Sequence, residues 1–160
     1  VEDVPKNLFK LLNVNNYAKG GWVLHMLRGQ LGDATFWQAI RAYYQTFQGG
    51  NALTADLQRI CEEQSGEDLG WFFQQWVFEG GVPDLKTSWS WDAAKNEVVL
   101  RVQQRQKNLK KFPLQFRIDH DTVESMMIEK RETTKRVRHS SNPNLVAWDP
   151  LVRLLAIFDN

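Results

Sequence analysis

The sequence has little cysteine, little net charge and no long apolar stretch. Cys61 is the single cysteine in 160 residues, which excludes an internal disulfide. Its helical spacing with Leu57 and Ile60 predicts a small core residue. The formal net charge is +1, which argues against broad attraction to nucleic acid or to an anionic membrane. No apolar run approaches the roughly 20 residues that span a bilayer. We therefore expect neither a nucleic-acid nor a membrane partner. The single cysteine does not indicate the cellular compartment.

Metal-ligating side chains are also scarce. The three histidines are His25, His120 and His139. No two of them stand four residues apart on one helical face, and no Cys/His cluster has the spacing of a zinc site. We predict that this chain contains no metal site of its own.

Charged side chains are frequent, but their neighbours predict structural roles. Five carboxylates lie beside sequence signals for helix ends: Glu62, Glu63, Glu67, Asp68 and Glu79. We expect them to cap helices or to lie on solvated helix faces, and we do not expect them to act in acid–base catalysis. The basic run 130–139 is interrupted by acidic residues and is typical of a charged edge strand. A surface for nucleic acid is the alternative, which the low net charge disfavours.

Aromatic residues and two different periodicities are what the sequence has in quantity. Seven Trp, nine Phe and 42% hydrophobic residues indicate a globular protein with a substantial core. Hydrophobic residues recur at helical spacing as far as residue 80, in about four segments. From Leu85 they recur at every second residue. We predict an α+β fold, with a helical subdomain in residues 1–84 and a small all-β sandwich in residues 85–160.

The helix boundaries are predicted from caps and breakers. Asn15 or Asn16 is expected to cap the first helix, Asp33 the second and Thr54 the third. Glycines at the ends predict the stops, and a fourth helix is expected from about Asp68 to Gly80.

The first helix has an unusual pair of glycines. Gly20 and Gly21 each cost about 1 kcal/mol relative to Ala in a helix interior. We therefore expect another backbone or a ligand to lie close to them. Residues at helical spacing predict one buried face: Gly20, Leu24, Leu27 and Leu31, with Val23 beside them. Tyr17 falls in the first turn, from which a phenol can reach a cleft.

The second half reads as short strands and turns. Residues 92–96 predict a hairpin turn, and residues 112–119 have the clearest alternation. Met126 to Ile128 predict partial burial on both faces of their strand. A last strand is expected within residues 153–158.

The segment Tyr17-Ala18-Lys19-Gly20, followed by Val23-Leu24-His25-Met26-Leu27, opens a series of short blocks that extends to about residue 84. The later blocks are Leu31-Gly32-Asp33-Ala34-Thr35-Phe36, residues 50–57, residues 65–69, Phe72-Phe73-Gln74-Gln75-Trp76 and Gly81-Val82-Pro83. In order and spacing they resemble the aminopeptidase N family of zinc metallopeptidases. Asp149-Pro150 also resembles the end of the β-sandwich that follows the catalytic domain in larger family members.

The resemblance implies a catalytic role for Tyr17. In the family this tyrosine donates a hydrogen bond to the oxyanion that forms when zinc-bound water attacks the scissile carbonyl. A phenol suits the role because it is neutral at pH 7 and is a good donor. Lys19 is interpreted as a structural residue or one that supports the site from behind, and Gly20 as a close-approach residue. Without the resemblance, Tyr17 would be interpreted as the anchor of a helix start.

The family's zinc motif does not occur in this sequence. It contains neither His-Glu-x-x-His nor the Gly-x-Met-Glu-Asn loop for the substrate's amino group. Since the chain begins with Val1 and not with Met, we expect these elements upstream in a longer polypeptide. Residues 1–84 would then be the helical C-terminal part of a peptidase catalytic domain, and residues 85–160 the sandwich after it.

Two functions follow from this interpretation. In the first, the chain supplies Tyr17 to a zinc aminopeptidase whose upstream peptidase domain holds the zinc and the peptide substrate, and the chain alone is inactive. In the second, it is a non-catalytic scaffold or interaction module from a peptidase-like protein that has lost catalysis.

Overall fold

The computed structural model describes residues 14–159, with side chains from Tyr17 onward, and these form two compact units that meet at Gly80 and Gly81. In the described residues the first unit is helical, and the second contains the strands. This arrangement confirms the predicted α+β fold. The segment expected to precede the first helix lies outside the described residues. No helix within residues 14–159 is both long and apolar enough to cross a membrane.

Within residues 14–80, the helical unit has three longer helices and a short fourth one. They are α1 (Val14–Leu31), α2 (Asp33–Phe47), α3 (Thr54–Ser65) and α4 (Gly70–Phe73), and α4 continues into a π-helical turn (Gln74–Phe78).

Glycine ends two of these helices as predicted. Gly32 follows α1 with φ 76°, and Gly66 follows α3 with φ 72°. A residue with a Cβ is strained in this left-handed conformation, so glycine is the usual choice at a helix end. The N–H of Gly66 donates to the Glu62 carbonyl (2.8 Å), which closes the last turn of α3.

The predicted N-caps are wrong. Asn15 and Asn16 lie within α1, because this helix already includes Val14. Thr54 is the first residue of α3, and Leu53 occupies the N-cap position. The backbone N–H of Leu53 has no backbone partner within the helix. It donates to Oδ2 of Asp56 in the first turn (2.9 Å).

Asp33 begins α2 but does not cap it. The N-cap position belongs to Gly32. The Asp33 carboxylate instead accepts two bonds from Arg28, at 2.9 Å from Nε and 2.7 Å from Nη2. This hydrogen-bonded ion pair raises the pKa of the Arg28 guanidinium. Arg28 also lies 5.5 Å from the centroid of the Trp37 ring, so it links the end of α1 to α2.

The buried face of α1 differs from the predicted one. Gly20 is exposed and Leu24 is 40% exposed. The buried residues of α1 are Val23, Met26, Leu27 and Leu31. They pack in a core with residues from the other helices: Phe36, Ala39, Ile60, Cys61, Leu69, Phe72, Phe73 and Trp76. The buried side of α1 includes Val23 and leaves Leu24 exposed, because packing against the neighbouring helices, and not the local spacing, decides which side is covered.

The fourth helix begins later than predicted and ends differently. Its first residue is Gly70, whose N–H donates to Asp68 Oδ1 (2.9 Å). Its last turn widens, so that the N–H of Glu79 reaches the carbonyl of Gln74 (2.9 Å), five residues back. Such π turns are rare and occur frequently at functional sites.

The second unit contains seven strands in two sheets. They are β1 (Asp84–Asp92), β2 (Glu97–Gln104), β3 (Phe112–Ile118), β4 (Glu124–Ile128), β5 (Glu132–Arg138), β6 (Val146–Trp148) and β7 (Ile157–Asp159). One sheet has the order β5-β2-β1-β7 and the other the order β4-β3-β6. All pairs are antiparallel except β1 with β7.

The two sheets form the predicted sandwich. Each presents a row of buried side chains: Leu85, Val98, Leu100 and Val102 from the first sheet, and Phe112, Leu114, Phe116, Ile118, Met126 and Ile128 from the second. Contact between the sheets is direct, since Lys135 Nζ of β5 lies 4.8 Å from the centroid of the Phe116 ring of β3. The burial alternates along β3, as expected for a sheet with one covered face.

Two details of the strand predictions are wrong. Met127 is 45% exposed between two buried neighbours, so β4 is covered on one face only. The last strand, β7, begins at Ile157, because the preceding residues form a turn around Asp149. The predicted hairpin turn between β1 and β2 is confirmed, with Asn96 at φ 52°.

Candidate functional site

Tyr17 projects from the first turn of α1 beside a cavity. Its side chain is 72% exposed. The cavity has a volume of about 450 Å³ and is lined by Tyr17, Ala18, Gly21, Trp22 and His25. Tyr17, Gly21 and His25 are four residues apart in turn, so they lie on one face of the helix. The phenol is therefore free to contact a molecule in front of this face.

The end of α1 that carries Tyr17 has few contacts in the described part of the protein. Among the described side chains of this helix, which start at Tyr17, the first buried one is Val23. A Cβ built on Gly20 or Gly21 would meet no atom within 4 Å among the described residues. The predicted close approach to these glycines is thus not made by residues 17–159, and the helix surface there is open.

Lys19 lies on a different side of the same turn from Tyr17. Its ammonium donates to the backbone carbonyl of Glu79, with Nζ 3.3 Å from the oxygen. Lys19 and Gly20 also border a second cavity of about 570 Å³ with an apolar lining, including Leu24, Leu53 and Trp76. The two cavities flank the first half of α1.

Sequence reasoning did not select Trp22 or His25 as neighbours of Tyr17. Their rings meet edge to face, with centroids 5.6 Å apart and an interplanar angle of 84°. The available signal was the helical spacing of Tyr17, Gly21 and His25, which places their side chains on one face. Trp22 adds an apolar wall to the cavity.

His25 belongs to the helical unit, and His120 and His139 belong to the unit of strands. His25 is half-buried in α1, His120 is exposed in the turn after β3, and His139 follows β5. His139 Nε2 lies 3.4 Å from Asp121 Oδ2, and its Nδ1 lies 2.7 Å from the Ser141 carbonyl. Within residues 14–159, no group of three or more His, Cys, Asp and Glu could hold a metal ion. The donor set that zinc requires does not fit any place in the described chain.

The carboxylates near the helix ends have structural partners. Glu62 Oε1 accepts the N–H of Leu69 (3.0 Å) and so satisfies a donor at the start of α4. Glu63 pairs with Arg59 one turn earlier in α3, at 2.7 Å. These contacts support the interpretation as caps and solvated faces.

Cys61 is a buried core residue, as predicted. Its side chain is fully covered in α3. Burial, together with the nearby Glu62 carboxylate, raises the pKa of the Cys61 thiol to about 11. The thiol is therefore protonated at neutral pH and has little of the thiolate that a nucleophile or a metal ligand needs.

The basic run forms an edge strand. β5 is the outer strand of its sheet, and its charges have acidic neighbours. Lys135 Nζ lies 3.1 Å from Glu124 Oε2, and Arg136 Nη1 lies between Asp92 (3.4 Å) and Glu97 (3.3 Å). These ion pairs compensate the charges of Lys135 and Arg136 and support the interpretation as a protected sheet edge.

Comparison with known proteins places these residues in a family. Residues 2–76 match the Peptidase family M1 domain. The chain is 39% identical over 67 residues, or 42% of its length, to aminopeptidase N of Lactococcus lactis subsp. lactis. It is 34% identical over 103 residues, or 64% of its length, to the puromycin-sensitive aminopeptidase of Caenorhabditis elegans. These matches support the identification of this chain as a fragment related to the M1 aminopeptidases.

The fold also has a solved counterpart. The structure of aminopeptidase A from Legionella pneumophila matches 98% of this chain with a TM-score of 0.86 and 14% sequence identity. At that identity the match shows a shared fold. The chain spans 19% of that protein's chain, and its alignments span 8% and 11% of the L. lactis and C. elegans relatives.

Proposed function

We propose that this chain is part of a zinc metallo-aminopeptidase, which hydrolyses the peptide bond at the N-terminus of peptides, and that Tyr17 is its oxyanion-stabilising residue. The observation that carries the proposal is the position of Tyr17 within the matched family segment, with its side chain 72% exposed beside an open cavity. Residues 1–84 would be the helical end of the catalytic domain, and residues 85–160 the β-sandwich that follows it.

The chemistry asked of Tyr17 is a single hydrogen bond. When a nucleophile adds to the scissile carbonyl, negative charge develops on its oxygen. A phenol O–H held in front of that oxygen donates to it more strongly as the charge grows, so it stabilises the transition state more than the substrate. Since the helix backbone positions the ring, the donor is oriented before the reaction begins.

The remaining groups would come from elsewhere. The histidines and carboxylates of this chain do not form a zinc site within the described residues. The zinc, the general base and the contacts to the peptide would belong to an upstream peptidase domain of the same polypeptide. We therefore expect the 160-residue chain alone to cleave no peptide.

Replacement of Tyr17 by Phe in the parent polypeptide tests this proposal. With an aminoacyl-fluorophore substrate, we expect kcat to fall about 100- to 1,000-fold, the usual effect of losing one oxyanion donor. KM should change little. Tyr44→Phe is the matched control, because Tyr44 is similarly exposed (68%) but lies on α2. A wild-type kcat in Tyr17→Phe would contradict the assigned role.

Measurements on the same parent polypeptide also test the alternative that the chain is a non-catalytic scaffold. A parent polypeptide that binds no zinc and shows no turnover with any aminoacyl substrate would be a non-catalytic module. Zinc-dependent turnover by the isolated 160-residue chain would contradict both interpretations.

A further inference from the structure

The Tyr17-bearing end of α1 needs an anchor, because the core does not reach it. Between Tyr17 and Trp22 no described side chain is buried, and the glycines in the middle add no packing. An exposed helix end with so few contacts opens easily by local fraying. A side chain from this segment that reaches a fixed part of the protein would limit that motion.

Lys19 makes such a contact. Its Nζ lies 3.3 Å from the carbonyl oxygen of Glu79, a residue sixty positions later in the chain. This carbonyl follows the π turn, where the C-terminal end of a helix carries partial negative charge and attracts a cation. The helical segment that ends just before this carbonyl is anchored in the core, because Phe73 and Trp76 are 1% and 2% exposed.

We propose that Lys19 is a positioning residue for Tyr17: its bond to the Glu79 carbonyl holds the first half of α1 against the end of the π turn. The inference rests on the function proposed above. Lys19 contacts neither substrate nor zinc in this mechanism. It acts through the helix backbone, which carries the phenol two residues away.

The consequence for catalysis follows from geometry. An oxyanion donor must lie about 2.7–3.1 Å from the charged oxygen. A displacement of about 1 Å can cost about 100-fold in rate. If the anchor is lost, the phenol samples positions outside this range, while the substrate-binding groups stay in place. The effect should therefore appear in kcat and leave KM nearly unchanged.

The test compares Lys19→Met, which keeps the aliphatic stem without the charge, with Lys19→Arg, which keeps the donor. Lys95→Met is the matched control, since Lys95 is an exposed lysine in the β1–β2 turn. Hydrogen exchange of amides 18–24 is measured in the 160-residue chain. We expect exchange to be roughly tenfold faster in Lys19→Met, the effect of one lost charge-assisted hydrogen bond. Lys19→Arg and Lys95→Met should exchange at the wild-type rate.

The kinetic measurement uses the parent polypeptide. We expect kcat to fall about tenfold in Lys19→Met, with KM unchanged and with recovery in Lys19→Arg. Wild-type exchange and wild-type kcat in Lys19→Met would overturn the inference. Faster exchange throughout α1, α2 and α3 would also overturn it, because Lys19 would then support the whole unit and not one helix end.

The two proposals fail in different ways. If Tyr17→Phe turns over at the wild-type rate, the proposed function is wrong, whatever Lys19 does to exchange. If Tyr17→Phe is impaired but Lys19→Met is normal in both measurements, Tyr17 keeps its role and the positioning inference alone is wrong.

Discussion

The side-chain amide of Gln104 is hydrogen-bonded to both backbone groups of Lys110. It donates to the Lys110 carbonyl (2.9 Å) and accepts from the Lys110 N–H (3.0 Å). The same Nε2 also donates to the carbonyl of Lys130 (3.1 Å). Gln104 is fully buried at the end of β2. One glutamine thus satisfies loop backbone groups that no strand pairs, and it holds the connection between β2 and β3 in place.

Replacement of Gln104 by Leu should destabilise the protein by about 2–4 kcal/mol, because the buried backbone groups of Lys110 and the part-buried carbonyl of Lys130 lose their partner. Urea unfolding measures the change. Gln103→Leu is the matched control: Gln103 is half-exposed, bonds Glu132 at the surface and should cost less than about 1 kcal/mol. Equal losses for the two variants would show that burial of the amide is not the cause.

Asp149 should be more sensitive to Ala than to Asn. It has φ 46°, and its carboxylate accepts the N–H of Arg153 (2.8 Å) and the N–H of Leu154 (3.0 Å). Asn tolerates the left-handed conformation and keeps one acceptor, whereas Ala loses both bonds. We expect a loss of unfolding free energy of about 2–4 kcal/mol for Asp149→Ala and about half of that for Asp149→Asn. Thermal and urea unfolding that rank the variants in the opposite order would disprove this account.

The buried thiol predicts a loss of stability at high pH. Burial raises the pKa of Cys61 from its ordinary 9.0 to about 11, so between these values the folded protein holds a proton that the unfolded chain releases. The contribution of this pKa difference to the free energy of unfolding is complete below pH 9 and is lost as the pH rises toward 11. Relative to Cys61→Ala, which cannot titrate, the wild type should lose unfolding free energy across this range. Parallel urea-derived stability curves for the two proteins from pH 8 to pH 11 would refute the prediction.

The edge strand β5 should resist self-association through Lys135. Its ammonium turns toward the other sheet, bonding Glu124 Oε2 (3.1 Å) and the carbonyl of Ser125 (3.2 Å). A charge held at a sheet edge opposes pairing with a second copy. We expect Lys135→Val to form dimers or larger species in sedimentation velocity at concentrations where the wild type is monomeric. Lys95→Val, in the β1–β2 turn, should behave as the wild type, and an identical profile for Lys135→Val would count against a protective role.

Much of the fold could be predicted because the signals are local. Gly32 and Gly66 stop helices through their own backbone conformation, which depends on the missing Cβ and on little else. The alternation at residues 112–119 predicted a strand, and in β3 the alternating residues Phe112, Leu114, Phe116 and Ile118 are buried on its covered face. The position of Tyr17 at the start of a helix came from the same kind of local information.

Other features depended on residues far away in sequence. The exposure of Gly20 and Leu24 on α1 is decided by the packing of α2, α3 and α4, whereas the local spacing predicted both as buried. The partner of Asp33 is close in sequence but was not predicted: Asp33 bonds Arg28, five residues earlier, and does not cap its own helix. No pattern in the sequence marks the π turn.

The sequence by itself determined the order of helices and strands, the place where the period changes, and the motif that contains Tyr17. These follow from the chemistry of single residues and their near neighbours. Only the tertiary structure decided that Lys19 meets the Glu79 carbonyl and that Gln104 holds a distant loop. The reason is physical: a contact between residues tens of positions apart forms only when the packed core brings their backbones together.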